Sequence, residues 1–150
     1  MRQITAILMF VAAVLGASHV GAQGRVQIGS NYAGGIVFYV DGTGQHGLVA
    51  AAADQGKDVR WEEANQTVRN YRGGGFADWR IPSKAELNAL WQQKSVVGGF
   101  RYDDLAIYWT STDGGQDNHN NVWLQNFSNG DQYGLKGKSN YCSVRAIRSF

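Results

Sequence analysis

Oxygen-rich side chains crowd one short stretch of this chain. Residues 113–121 read Asp-Gly-Gly-Gln-Asp-Asn-His-Asn-Asn. Asp113, Asp117, Asn118, His119, Asn120 and Asn121 can all hydrogen-bond to sugar hydroxyls. Tyr133, Lys136, Lys138 and Arg101 extend the set. A tyrosine face suits the apolar face of a pyranose ring, and the cations suit sulfate or carboxylate groups. The carboxylates and amides are also the hard oxygen ligands that calcium prefers. Spacing argues against an EF-hand loop, which needs glycine at its sixth position and an acid at its twelfth. Those positions here are Asn118 and Leu124. Calcium therefore rests on oxygen density alone. A solvated loop with ordinary surface lysines would have the same composition, because loops between strands are polar in any case.

Catalysis has less to work with. There is no G-x-S-x-G elbow and no H-E-x-x-H helix. His46 and His119 are the only histidines after residue 22, and neither has a partner written nearby. Glu62 and Glu63 are adjacent on a predicted helix, so they point about 100° apart and do not converge. Residues 42–47, Gly-Thr-Gly-Gln-His-Gly, match G-x-G-x-x-G after a predicted strand. A dinucleotide cradle needs a helix after the third glycine, and an apolar strand-like run follows here. A hairpin turn is the better reading. No catalytic residue, cofactor or metal is assigned.

The elements that must position the polar stretch follow from pattern. Residues 107–112 (Ile-Tyr-Trp-Thr-Ser-Thr) and 122–127 (Val-Trp-Leu-Gln-Asn-Phe) are strand candidates on either side of it. Asn129-Gly130 is a hairpin signal, residues 132–136 return, and residues 141–148 form the last strand. Upstream, residues 35–40 and 46–52 form a hairpin. Residues 58–72 read as a helix, with Trp61, Ala64, Val68 and Tyr71 at spacings of three and four. A second helix runs from 84 to 93. Ser83 and Glu86 form a capping-box pattern, Pro82 sets an extended approach, and Leu87, Leu90 and Trp91 make one apolar stripe. The result is an α+β class domain of antiparallel sheets with two flanking helices. Trp79, Trp91, Trp109 and Trp123 are assigned to packing, and Arg80 and Arg145 to structural pairing.

Composition sets the compartment and excludes some partners. Arg2, an apolar run too short to span a bilayer and Val20-Gly21-Ala22 read as a cleavable export signal over residues 1–22, with an uncleaved N-terminal anchor as the alternative. A leader over 23–33 and one domain over 34–150 follow. The protein is expected to be secreted, to the periplasm, cell surface or exterior, with no membrane span in the mature chain. The chain has 14 Lys plus Arg against 12 Asp plus Glu, and removal of Arg2 leaves 13 against 12. That balance is no nucleic-acid footprint. Cys142 is the sole cysteine, so no internal disulfide forms, and burial beside a strand is expected. A domain of this length can bury an adequate core without such staples.

A family resemblance adds to this reading. The stretches 34–40 (Gly-Gly-Ile-Val-Phe-Tyr-Val), 47–51 (Gly-Leu-Val-Ala-Ala), 78–83 (Asp-Trp-Arg-Ile-Pro-Ser) with Glu86-Leu87, 108–112 (Tyr-Trp-Thr-Ser-Thr) and 144–148 (Val-Arg-Ala-Ile-Arg) carry it. In that order they resemble the family named for the C-terminal domain of the Legionella collagen-like adhesin, over residues 34–150. The resemblance implies a C-type-lectin-like fold with the N- and C-terminal strands paired, setting residues 36–40 beside 144–148. It also implies binding of a glycosaminoglycan-like polymer. The calcium motifs of animal C-type lectins, Glu-Pro-Asn or Gln-Pro-Asp with Trp-Asn-Asp, are absent, as is any Gly-X-Y tract. Formylglycine-generating relatives use a cysteine pair with copper, which one cysteine cannot supply. The combined reading is an exported, non-enzymatic module binding a glycan or anionic surface polymer, as adhesins do. The alternatives are an assembly protein that binds an envelope protein and a divergent enzyme of the same fold.

As a test of the packing assignment, Trp109→Ala is expected to lower stability by about 3–5 kcal/mol. A chemical-denaturation midpoint unchanged by that substitution would remove Trp109 from the core.

Overall fold

The computed structural model describes residues 25–115 and 120–150; the expected export signal lies outside them. Along the chain come β1 (Asn31–Tyr32), β2 (Gly35–Val40), β3 (Gly47–Ala50) and β4 (Gly56–Val59). Helix α1 (Trp61–Asn70), a short 3₁₀ turn at Gly73–Gly75, α2 (Lys84–Gln92) and α3 (Lys94–Val97) follow. Then come β5 (Ile107–Asp113), β6 (Asn121–Asn126), β7 (Gln132–Gly137), β8 (Cys142–Val144) and β9 (Ile147–Ser149). Among the described residues the strands make two sheets, ordered β1-β2-β3-β9 and β4-β8-β5-β6-β7. No helix among them is long and apolar enough to cross a membrane.

Strand alternation feeds two cores. Successive residues of a strand point to opposite faces. Val37 and Phe38 are adjacent in β2 and both are buried. Val37 packs with Trp79, Trp109 and the α1 residues Ala64 and Val68. Phe38 packs with Tyr108, Phe127 and the α2 residues Leu87 and Leu90. Val49 and Ala50 of β3 divide in the same way, as do Trp109 and Tyr108 of β5. A strand covered on both faces has no polar side to display, which is why the hairpin reads as unbroken apolar runs.

Helix α2 starts as its sequence specifies. Ser83 Oγ accepts from the Glu86 N–H at 3.2 Å, and Glu86 Oε2 accepts from the Ser83 N–H at 2.8 Å. Helix α1 begins at Trp61, later than the expected 58, because residues 56–59 pair with β8 instead. Asp58 sits at φ 53 inside that bulged pairing. Glu63 Oε2 then accepts from the Arg60 N–H at 3.0 Å and closes the helix start.

Four further expectations are corrected. The expected last strand, 141–148, is two strands in different sheets, with Arg145 and Ala146 at the crossing. The first and last strands do not pair. Strand β9 lies against β3, with Val49 opposite Arg148, because both edges of β2 are already occupied by β1 and β3. Strand β1 falls within the stretch read as a leader, folded back through a turn at Ala33 (φ 48) and Gly34 (φ 83). Two successive positive φ values mark a hairpin turn usually written Asn-Gly, so the sequence hid it. Finally, β8 runs parallel to β5, with Tyr108 opposite Ser143. The five-stranded sheet is therefore mixed, because β8 inserts between β4 and β5 instead of extending the meander, while the four-stranded sheet is antiparallel throughout.

Arg145 holds the crossing. Its side chain and that of Asp54 are both 0% exposed, with Nε 2.7 Å from Asp54 Oδ1. Its other nitrogens donate to the carbonyls of Ala51 (2.9 Å), Gly98 (3.1 Å) and Gly99 (2.5 Å). The second Asp54 oxygen accepts from the Tyr108 hydroxyl at 2.9 Å. Removing one member of a buried pair leaves an uncompensated charge. Arg145→Met should therefore cost about 3–5 kcal/mol, and the double variant Asp54→Leu/Arg145→Met should recover part of that loss in chemical denaturation. A double variant no more stable than the single one would show that the carbonyl bonds, not the ion pair, carry the cost.

Candidate functional site

The five-stranded sheet gathers several predicted site residues at one end. Asp113 closes β5 opposite Val122. The Gly114 N–H donates to Asn121 O at 3.0 Å, and the Lys138 N–H donates to Asn120 O at 2.8 Å. Asn121 lies opposite Gly137, and Lys136 lies in β7 opposite Val122. Asp113, Asn120, Asn121, Lys136 and Lys138 thus share this end. Asp117, Asn118 and His119 lie outside the described residues. Tyr133 stands further along β7, opposite Leu124, with its hydroxyl donating to Asp131 Oδ2 at 3.3 Å.

Arg101 is set apart from this group. Its N–H donates to the Tyr108 hydroxyl at 2.8 Å, near the start of β5. Its guanidinium bonds Asp103 at 2.7 Å and Asp58 at 2.8 Å. Asp103 first, then Asp58, raise the Arg101 pKa further above its usual range. A guanidinium held between two carboxylates presents little positive charge to a ligand.

A groove of about 380 Å³ opens beside α1 and was not foreseen from the sequence. Trp61, Asn65 and Arg69 line one side at spacings of four, a stripe along one helix face. Arg80, Ile81 and Ser111 are on the other. The sequence does contain the signal. Trp61, Ala64 and Val68 make a core stripe, and the neighbouring stripe through Asn65 and Arg69 shares its starting residue. Trp61 is half-buried, and its Nε1 donates to Thr110 O at 3.0 Å, so it offers carbon surface to the groove. Its N–H bonds Lys138 O at 3.1 Å, and Lys138 Nζ lies 4.6 Å from the indole ring centroid. That contact joins the groove to the polar end of the sheet.

The opposite wall is rigid. Arg80 N donates to Ile147 O at 2.9 Å and Ile147 N donates to Arg80 O at 3.0 Å. Trp79 Nε1 donates to Gly73 O at 3.0 Å. The Arg80 guanidinium bonds both Glu86 oxygens, at 2.7 and 2.6 Å. Burial pushes the Glu86 carboxyl up, but the Arg80 and Ser83 hydrogen bonds outweigh it and hold the group below its ordinary value. Arg69 has no such carboxylate. Among the described residues, the side chains of Arg69, Asn65 and Ser111 have no hydrogen-bond or ion-pair partner, and no acidic residue lines the groove.

The polar cluster of the β2–β3 turn closes on itself. In the β2–β3 turn, Asp41 Oδ1 accepts from Thr43 N (3.0 Å), Thr43 Oγ1 (2.7 Å) and Gly44 N (2.9 Å). The G-x-G-x-x-G stretch is therefore a hairpin turn with its donors turned inward. Among the described residues, no three His, Cys, Asp or Glu side chains gather closely enough to hold a metal ion.

The family model of the Lcl C-terminal domain matches residues 42–148. The chain belongs to the Lcl C-terminal domain family. No curated protein matches it. In this Lcl C-terminal domain the residues that carried the resemblance are tied to one another. Asp78 bonds Arg148 at 2.7 and 3.0 Å, Arg80 bridges to Ile147, and Tyr108 and Arg145 meet on Asp54. The motifs thus specify the fold, while Asn65 and Arg69 stand outside them.

These ties predict acid sensitivity. Arg148 holds the Asp78 carboxyl below its usual range, and Arg101 does the same for Asp103; Glu86 is also lowered. Each folded pKa lies below its unfolded value, so the unfolded chain binds more protons as pH falls. Stability should be level near neutrality and decline once pH drops into and below the ordinary carboxylate range, about 4. Glu86→Gln should make that decline shallower in denaturation curves taken from pH 7 to pH 3. An unchanged slope would mean that Glu86 does not contribute to it.

Proposed function

We propose that this domain is an exported, non-enzymatic binding module with a C-type-lectin-like fold, and that it recognises a glycan or an anionic surface polymer. The observation that carries the reading is the groove beside α1. It pairs an aromatic wall with a guanidinium, an amide and a hydroxyl that have no partner among the described residues. Convergent polar groups on an apolar wall are what a small-ligand site requires. The adjoining sheet end, with Asp113, Asn120, Asn121 and Lys138, extends the same surface. The signal-like first 22 residues support the exported part of this reading.

A second reading, an envelope protein as partner, is favoured by two exposed apolar side chains of the 101–105 loop. Tyr102 is 66% and Leu105 55% exposed, and aromatic surface of this kind is enriched in protein interfaces.

A glycan array probed with the purified protein, with calcium and with chelator, separates these readings. Saccharide binding retained with chelator and weakened by moderate salt is expected for groove and lysine contacts. Binding lost with chelator would move the site to a calcium ion near Asp113, Asn120 and Asn121. No saccharide binding by folded protein would favour the protein partner.

A further inference from the structure

The groove beside α1 has a more specific chemistry than a general polymer surface. We propose that it is a subsite for a single uronate-type residue, a sugar ring bearing a carboxylate, with Arg69 as the carboxylate fork. This rests on the glycan-binding reading above and names the ligand class for it.

Charge comes first. The groove is lined by two guanidiniums and no acid. Arg80 is neutralised by its two bonds to Glu86, whereas Arg69 has no partner for its guanidinium among the described residues. An unpaired arginine on an aromatic-walled groove is complementary to an anion. A guanidinium presents parallel N–H donors that match a planar carboxylate in bidentate fashion. A neutral sugar would leave that fork unanswered.

Shape and hydrogen bonding supply the rest. The volume of about 380 Å³ is near the lower end for ligand sites. That is of the order of one sugar ring with its substituents. Trp61 provides carbon surface, since its only polar atom already donates to Thr110 O. Asn65, one turn before Arg69, and Ser111, on the facing strand, offer an amide and a hydroxyl to ring hydroxyls. A polymer seated here would place one residue in the groove and run past Lys138, whose ammonium sits over the Trp61 ring. Lys138 would then meet a neighbouring charge as a compact cation, with weaker selectivity for the anion's shape.

The test is calorimetric titration of the purified protein with trisaccharides of galacturonate, glucuronate and mannuronate. The controls are the methyl ester of each, a neutral glucan trisaccharide and a sulfated neutral trisaccharide. At least one uronate should bind, with its methyl ester and the neutral sugar at least about ten-fold weaker. Arg69→Gln should weaken uronate binding by about ten-fold or more, as expected for loss of charge-assisted hydrogen bonds, and Arg69→Lys should restore only part. Arg69 is exposed, and its side chain has no partner among the described residues, so both variants should keep the parent unfolding midpoint. Uronate binding unaltered by Arg69→Gln would overturn the proposal, as would an ester or sulfated sugar bound as tightly as the acid. If the glycan array shows saccharide binding but no uronate binds, the subsite assignment falls and the broader reading stands. If no saccharide binds in either experiment, both fall.

Discussion

One buried guanidinium sets the plan of this domain. Arg145 sits where the chain leaves the five-stranded sheet and enters the four-stranded one, out of contact with water. A cation there is tolerable only because Asp54 neutralises it and three backbone carbonyls take up its remaining donors. Those partners come from the segment after β3, the turn after α3 and, through Tyr108, the start of β5. A single side chain thus joins regions 46, 47 and 94 residues away in sequence. It also binds both sheets to the one short stretch they share.

From that crossing the two-core arrangement follows. With β8 held between β4 and β5, and β9 beside β3, the final segment contributes to both sheets. Val144 and Ala146 face the core beneath α1, while Ile147 faces the core beneath α2. Each helix covers one core, and the strands between them bury residues on both faces. Asp78 and Arg148 then clip the approach to α2 onto β9. The same approach segment forms the far wall of the groove, so the rigidity of the fold passes directly into the candidate site.

The site differs in kind from the frame around it. In the frame, charged groups answer one another: Arg145 with Asp54, Arg148 with Asp78, Arg101 with Asp58 and Asp103, Arg80 with Glu86. In the groove, the side chains of Arg69, Asn65 and Ser111 have no such answer among the described residues. Polar groups left without partners beside an aromatic wall are what the proposed binding role rests on. Lys138 over Trp61 joins that groove to the sheet end where Asp113 and Asn121 emerge.

The sequence alone determined what depends on near neighbours. The capping box at Ser83 and Glu86 gave the start of α2, because its bonds lie within one turn. The β2–β3 and β6–β7 hairpins were written in glycine-bearing turns, and the helical period of Trp61, Ala64 and Val68 marked α1. The family pattern was legible because its residues are those that tie the frame together. Tertiary structure decided what depends on distant ones. Whether β9 lies on β2 or β3 turned on β1 occupying the other edge of β2, through a turn at Ala33 that lacks the usual signature. Whether residues 141–148 form one strand or two turned on a charge partner, Asp54, 91 residues from Arg145. Arg101 carried the right charge for a ligand, but Asp58 and Asp103 claim it. Arg69 is inconspicuous in the sequence because a lone arginine on a helix becomes distinctive only when the wall opposite is in place and, among the described residues, no carboxylate comes with it.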